Sequence, residues 1–106
     1  MAGPGRGIRS KQNMAYNILP LASFEKSFAK LPRNDQRRIV EKIEHLAAHP
    51  QFIGSPMANL PPDVRGLHKI RVGDWRIFFW VDNRKQEITL YDVGWRDKAY
   101  RDLFRH

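Results

Sequence analysis

Leu67–Val81 reads LHKIRVGDWRIFFWV, and this stretch decides the fold. It divides into two strands, Leu67–Val72 and Trp75–Val81, joined by Gly73-Asp74. A Gly-Asp pair suits a two-residue hairpin loop, because glycine adopts positive φ freely and aspartate tolerates it better than most residues. Side chains alternate across a strand. Ile70 and Val72 therefore share one face with the row Ile77, Phe79 and Val81. Lys69, Arg71 and Arg76 take the other face beside Phe78 and Trp80. The pattern predicts a rigid hairpin with one apolar face and one cationic, aromatic face.

Working outward, Asp82–Gln86 reads as a turn into a third strand, Glu87–Val93, which Gly94 ends. Asp97–Phe104 reads as a short last helix that packs through Tyr100, Leu103 and Phe104. Before the hairpin, Gln51–Gly66 holds three prolines and two glycines and reads as a loop anchored by Phe52, Ile53 and Leu60. Upstream, Ile39, Ile43 and Leu46 recur at i, i+4, i+7, the stripe of a helix that runs to about Ala48 before Pro50. Asn34 or Asp35 is its expected N-cap. Phe24, Phe28 and Leu31 mark a shorter helix ended by Pro32. Tyr16–Leu21 is a strand whose Pro20 places it at a sheet edge, since proline donates no ladder hydrogen bond. The order is β-α-α-β-β-β with a short C-terminal helix. That order predicts an α+β fold: an antiparallel sheet of about four strands with a helical hairpin on one face. Residues 1–13, glycine-rich and basic, read as a disordered basic tail. Residues 14–106 read as a single domain.

The chain has 106 residues, enough for one core and too few for two. It holds no cysteine, so disulfides, thiolate nucleophiles and thiolate metal sites are excluded. Freedom from cysteine fits a reducing cytoplasm. No apolar run approaches a membrane span. The formal net charge of +8 is the strongest bulk property and points to a polyanionic partner.

Motifs for other chemistries are missing. His45 and His49 lie four apart on one helix, but no glutamate makes an HExxH pattern and no third ligand is apparent. No nucleophile elbow or phosphate loop occurs. What remains is basic: Lys69, Arg71 and Arg76 on the hairpin, Arg96 after the third strand, and Tyr100 four residues on. Guanidinium groups grip phosphate through two bonds, and aromatic rings stack on splayed bases. RNA carries its own nucleophile, the 2′-hydroxyl, so a protein has only to align the strand, move protons and neutralise the phosphate. These residue types suit RNA cleavage. They equally suit a solvated basic face or a binding surface without catalysis.

The run LHKIRVGDWRIFFWV, followed by ITLYDVGWRDKAY, resembles the RelE/ParE toxin superfamily of toxin–antitoxin modules over about residues 15–104. The resemblance implies a RelE-like fold and one of two activities. RelE-like members cut mRNA in the ribosomal A site without metal or cofactor, and ParE-like members poison DNA gyrase. Five positions match the ribonuclease set. Lys69 and Arg71 match the basic residues before the turn, Arg76 the transition-state arginine, Arg96 the general acid and Tyr100 the base-stacking tyrosine. Arg65, His68, Trp95 and Lys98 complete the expected RNA-binding surface, and His106 is a further candidate near the chain's end. Arg71 departs from the best-known pattern, which has lysine there. An arginine holds its proton too tightly for a general base, so that role falls to Lys69 or to water. The resemblance also implies a cognate antitoxin with a wrapping or acidic segment, assembled with the toxin as a hetero-oligomer. The Phe78 and Trp80 face and the basic surface are candidate landing sites for it, and packing of Phe78 and Trp80 under the C-terminal helix is the equal alternative.

Overall fold

The computed structural model describes residues 15–103. The tail expected at 1–13, and the expected roles of Phe104 and His106, lie outside the described residues. Along the chain run β1 (Asn17–Pro20), α1 (Ala22–Ala29), α2 (Arg33–Ala48), β2 (His68–Val72), β3 (Trp75–Asp82), β4 (Glu87–Trp95) and α3 (Arg96–Asp102). Single 3₁₀ turns occupy Pro50–Phe52 and Pro62–Val64. The four strands form one sheet in the order β1-β4-β3-β2.

The hairpin closes as its sequence predicts. Val72 pairs with Trp75 across Gly73-Asp74. Of the two loop residues only Gly73 has positive φ, at 60°, which identifies a type II′ turn. The β3–β4 loop closes through Asp82, whose carboxylate accepts from the backbone N–H of Arg84 and Lys85. Pro20 lies on an edge strand, as expected.

The sheet is mixed rather than antiparallel throughout. β2, β3 and β4 form an antiparallel meander, but β1 runs parallel to β4, pairing Asn17 with Glu87 and Pro20 with Leu90. The cause is the unequal length of the helices. Eight-residue α1 leads the chain away, and sixteen-residue α2 carries it back past its starting point. The end of α2 therefore lies beside the start of β1, where the Tyr16 N–H donates to the Ala47 carbonyl at 2.9 Å. α2 also starts without the expected cap. Extended Pro32 is its N-cap. Asn34 instead accepts a hydrogen bond from Arg37, and Asp35 lies 3.5 Å from Arg38.

Each face of the sheet carries a core. On one side Phe24, Ile39, Ile43 and Leu46 of the helices meet Val72, Ile77, Phe79, Ile88, Leu90 and Val93. Strict alternation would send Asp92 into this core. A bulge prevents that: Phe78 pairs with Asp92 and Phe79 with Leu90, so Tyr91 is an extra residue and Val93 turns inward. On the other side Leu60, Val64 and Leu67 close with Ala99 and Leu103 around Phe78.

The second core corrects two expectations. Phe78 is 1% exposed and is no landing site. Trp80 is half-buried, with its indole N–H bonded to the Arg65 carbonyl at 3.0 Å. The loop before β2 supplies Leu60 and Val64 as well as covering backbone, whereas Phe52, an expected anchor, is 63% exposed.

Gly94 is where α3 meets the sheet. A Cβ there would stand 2.6 Å from the Ala99 Cβ. Gly94→Ala is expected to cost about 1–3 kcal/mol through overpacking. Urea unfolding of the two proteins measures this loss.

Candidate functional site

Register assembles the cationic face. Arg76 of β3 pairs with Arg71 of β2 on one side and Gly94 of β4 on the other, and Lys69, Phe78 and Asp92 form the next row. Next to a two-residue loop the Arg71–Arg76 pair is a non-hydrogen-bonded one, where side chains approach most closely. Like charges placed directly opposite destabilise a sheet. Among the described residues no carboxylate forms an ion pair with Lys69, Arg71 or Arg76.

Glycine at 94 lets α3 lie close, and α3 brings Tyr100 to the same face. Lys69 Nζ stands 4.8 Å from the centre of the Tyr100 ring. Arg76 folds back over the turn, with Nη1 donating to the carbonyls of Gly73 at 3.2 Å and Trp75 at 3.1 Å. Arg96 stands at the same end of the sheet. Its backbone N–H donates to the Asp74 carbonyl at 2.8 Å, and its Nε donates to Asp74 Oδ1 at 2.9 Å. Arg96 has φ of +42°. Such a conformation costs a non-glycine residue about 1–3 kcal/mol and persists only where neighbours enforce it. Asp74 bonds Arg96 here through both backbone and side chain.

The structure thus places Lys69, Arg71 and Arg76 as a ledge on one face of the hairpin, with Tyr100 against Lys69 and Arg96 tied to the turn through Asp74. The other four expected RNA contacts are placed differently. Trp95 packs edge-on against Trp75 at 5.1 Å, on the side of the sheet covered by the helices, yet borders the ledge because the Arg96 guanidinium lies 5.3 Å from its ring. Lys98 lies on α3 and pairs with Asp102 at 3.4 Å. Arg65 precedes β2, at the end of that strand away from the turn. His68 stacks on Phe79 at 5.2 Å on the opposite face from Lys69.

Burial pushes the His68 imidazole below its ordinary value near 6.5, against a hydrogen bond with the Gly54 backbone that acts in the other sense. The folded protein therefore resists protonation that the unfolded chain accepts. The stability due to neutral His68 is complete above pH 6.5, falls as the pH drops below it, and levels off beneath the folded value. Denaturant unfolding between pH 7.5 and 5.5 is expected to show this loss, and His68→Gln to flatten it.

Asp74 is the member of the site that residue types alone did not reveal. One signal was available: it is the single carboxylate in Leu67–Val81. His45 and His49 do lie side by side, with ring centres 4.9 Å apart, and Phe52 stacks on His45 at 5.8 Å. Among the described residues no three His, Cys, Asp or Glu side chains converge as a metal-binding group.

Residues 18–100 match the family model of the ParE toxin of the type II toxin–antitoxin system, parDE. The chain belongs to this family. It is a RelE-like toxin of a type II toxin–antitoxin system. A curated relative, Toxin RelE of Mycobacterium tuberculosis, is 26% identical over 87 residues, covering 81% of this toxin and 87% of the relative. Among solved structures, the RelBE2 toxin–antitoxin complex from M. tuberculosis matches at TM-score 0.66 and 20% identity, over 77% of this chain and 92% of that one. The isolated E. coli RelE toxin matches at TM-score 0.64 and 16% identity, over 85% and 100%. The archaeal RelE–RelB complex from Pyrococcus horikoshii matches at 0.62 and 22%, over 81% and 100%. These structures share the fold. No helix among the described residues is long and apolar enough to cross a membrane.

Proposed function

We propose that this toxin is a ribosome-dependent endoribonuclease that cleaves mRNA in the A site and so stops translation. One observation supports the reading: Lys69, Arg71 and Arg76 share one face of the hairpin, with Tyr100 over Lys69 and Arg96 bonded to the turn residue Asp74. The 2′-hydroxyl oxygen attacks the adjacent phosphorus, and the bond from phosphorus to the 5′-oxygen breaks. The products are a 2′,3′-cyclic phosphate and a 5′-hydroxyl. Arg71 and Arg76, adjacent across two strands, neutralise the charge that builds on the phosphate. Lys69 or a water molecule accepts the 2′-hydroxyl proton. Arg96, at the far side of the ledge, supplies the proton or hydrogen bond that the leaving 5′-oxygen needs. Tyr100 and the exposed rim of Trp95 offer stacking planes for bases. None of these steps calls for a metal ion or cofactor, because the substrate brings its own nucleophile.

The partner on this reading is an antitoxin. Relatives from M. tuberculosis and P. horikoshii were solved as complexes with theirs, and a net charge of +8 favours an acidic, wrapping segment and a hetero-oligomer. Action on ribosomes places the toxin in the cytoplasm. Mapping the 5′ ends of transcripts after induction tests the proposal. Breaks inside translated codons are expected. Intact transcripts together with DNA breaks and an SOS response would identify a gyrase poison instead. Intact transcripts and intact DNA would leave a binding module.

A further inference from the structure

The two residues of the hairpin loop each hold one arginine. The Gly73 carbonyl accepts from Arg76 Nη1, and Asp74 accepts from Arg96 through both its carbonyl and its carboxylate. We propose that Asp74 is the positioning residue for Arg96, an inference that rests on the ribonuclease reading for its catalytic consequence.

The geometry of the contact carries the argument. A guanidinium has five N–H donors. Asp74 Oδ1 takes the one on Nε, at 2.9 Å. A carboxylate seated across Nη1 and Nη2 would occupy the edge that grips phosphate. Asp74 instead bonds at Nε and does not take the Nη1–Nη2 edge. The backbone bond from the Arg96 N–H to the Asp74 carbonyl, at 2.8 Å, holds the base of the same side chain. Arg96 makes both contacts at φ of +42°. A side chain more than half exposed, at 56%, would otherwise sample many rotamers. Arg76 pairs with Gly94, two residues before Arg96. One turn thereby sets the spacing between a phosphate-neutralising group on β3 and a leaving-group donor at the start of α3.

Two variants separate positioning from turn chemistry. Gly-Ser and Gly-Asn both suit a two-residue loop. In Asp74→Ser the shorter side chain withdraws the carboxylate, whereas Asp74→Asn keeps an amide oxygen able to accept from Nε. Single-turnover cleavage on programmed ribosomes is expected to slow roughly 10- to 100-fold in Asp74→Ser. The toxin concentration giving half-maximal rate should stay unchanged, and Asp74→Asn should recover part of the rate. In an Arg96→Ala background Asp74→Ser should add no further loss. A wild-type rate in Asp74→Ser, or an equal loss with Arg96 absent, would overturn the proposal. ¹⁵N NMR of the Arg96 Nε–H provides a readout independent of cleavage. Its resolved signal should disappear in Asp74→Ser while the backbone spectrum persists. An unchanged signal overturns the positioning role whatever the cleavage result. A signal that depends on Asp74 in a toxin that cuts no mRNA leaves the positioning role standing and removes the ribonuclease reading.

Discussion

Arg96→Ala and Arg76→Ala are each expected to lower mRNA cleavage by roughly 10²- to 10³-fold, the usual loss when one preorganised donor to a transition-state charge is removed. Both side chains stand at the rim of the ledge and neither belongs to a core. Thermal unfolding should therefore stay close to wild type. Arg96→Ala gives up an exposed ion pair with Asp74, worth about 0–1 kcal/mol. Lysine should be a poor substitute at both positions, because an ammonium lacks the planar fork that holds two phosphate oxygens at once. Bacteria expressing the Arg76→Ala, Arg96→Ala double variant should grow normally. Full toxicity in the double variant would remove the proposed mechanism, since it assigns phosphate neutralisation and leaving-group donation to these two residues.

Phe78→Ala is expected to produce the largest loss of stability, about 3–5 kcal/mol. Phe78 is 1% exposed at the centre of the second core, between the Leu60–Leu67 segment and α3. Its loss leaves a cavity that Ala99 and Leu103 have no means of filling. At about 4–8 °C per kcal/mol for a domain of this size, the melting temperature should drop by well over ten degrees. Function should suffer as well, because α3 carries Tyr100 and meets the sheet through this residue and Gly94. Phe78→Leu, which keeps most of the volume, should cost under about 1.5 kcal/mol. Differential scanning calorimetry of the two variants measures the contrast. A Phe78→Ala protein as stable as wild type would mean that α3 does not pack on the sheet.

Much of this architecture is local, and local features are legible in residues. Gly73-Asp74 announces the turn, alternation from Lys69 to Trp80 separates the two faces, and i, i+4, i+7 stripes mark both helices. With the turn and alternation known, Lys69, Arg71 and Arg76 fall on one ledge without further information. Features that depend on distant partners are not legible in this way. The direction of β1 depends on how far α2 overshoots α1, a difference of helix lengths rather than a motif. The bulge at Tyr91 appears only when β4 is laid against β3, and it rescues Asp92 from the core. Phe78 sits on the cationic side and looks exposed until Leu60, Val64 and Leu103, from segments far apart in the chain, close over it. His68 shares its strand with Lys69, but the one-residue offset sends it to the other face, against Phe79.

Asp74 shows the same division within the site. Its place in the turn follows from its neighbours, whereas its bond to Arg96 spans 22 residues and follows from the register of β3 on β4.

The central claim is that the ledge cuts RNA on the ribosome. Adding purified toxin to ribosomes programmed with a defined mRNA, with one codon in the A site, tests it most directly. The account predicts a single cut within that codon, a 2′,3′-cyclic phosphate on the upstream fragment and a 5′-hydroxyl on the downstream one, undiminished by EDTA levels that leave the ribosomes intact. Uncut mRNA in the presence of correctly folded toxin would contradict it.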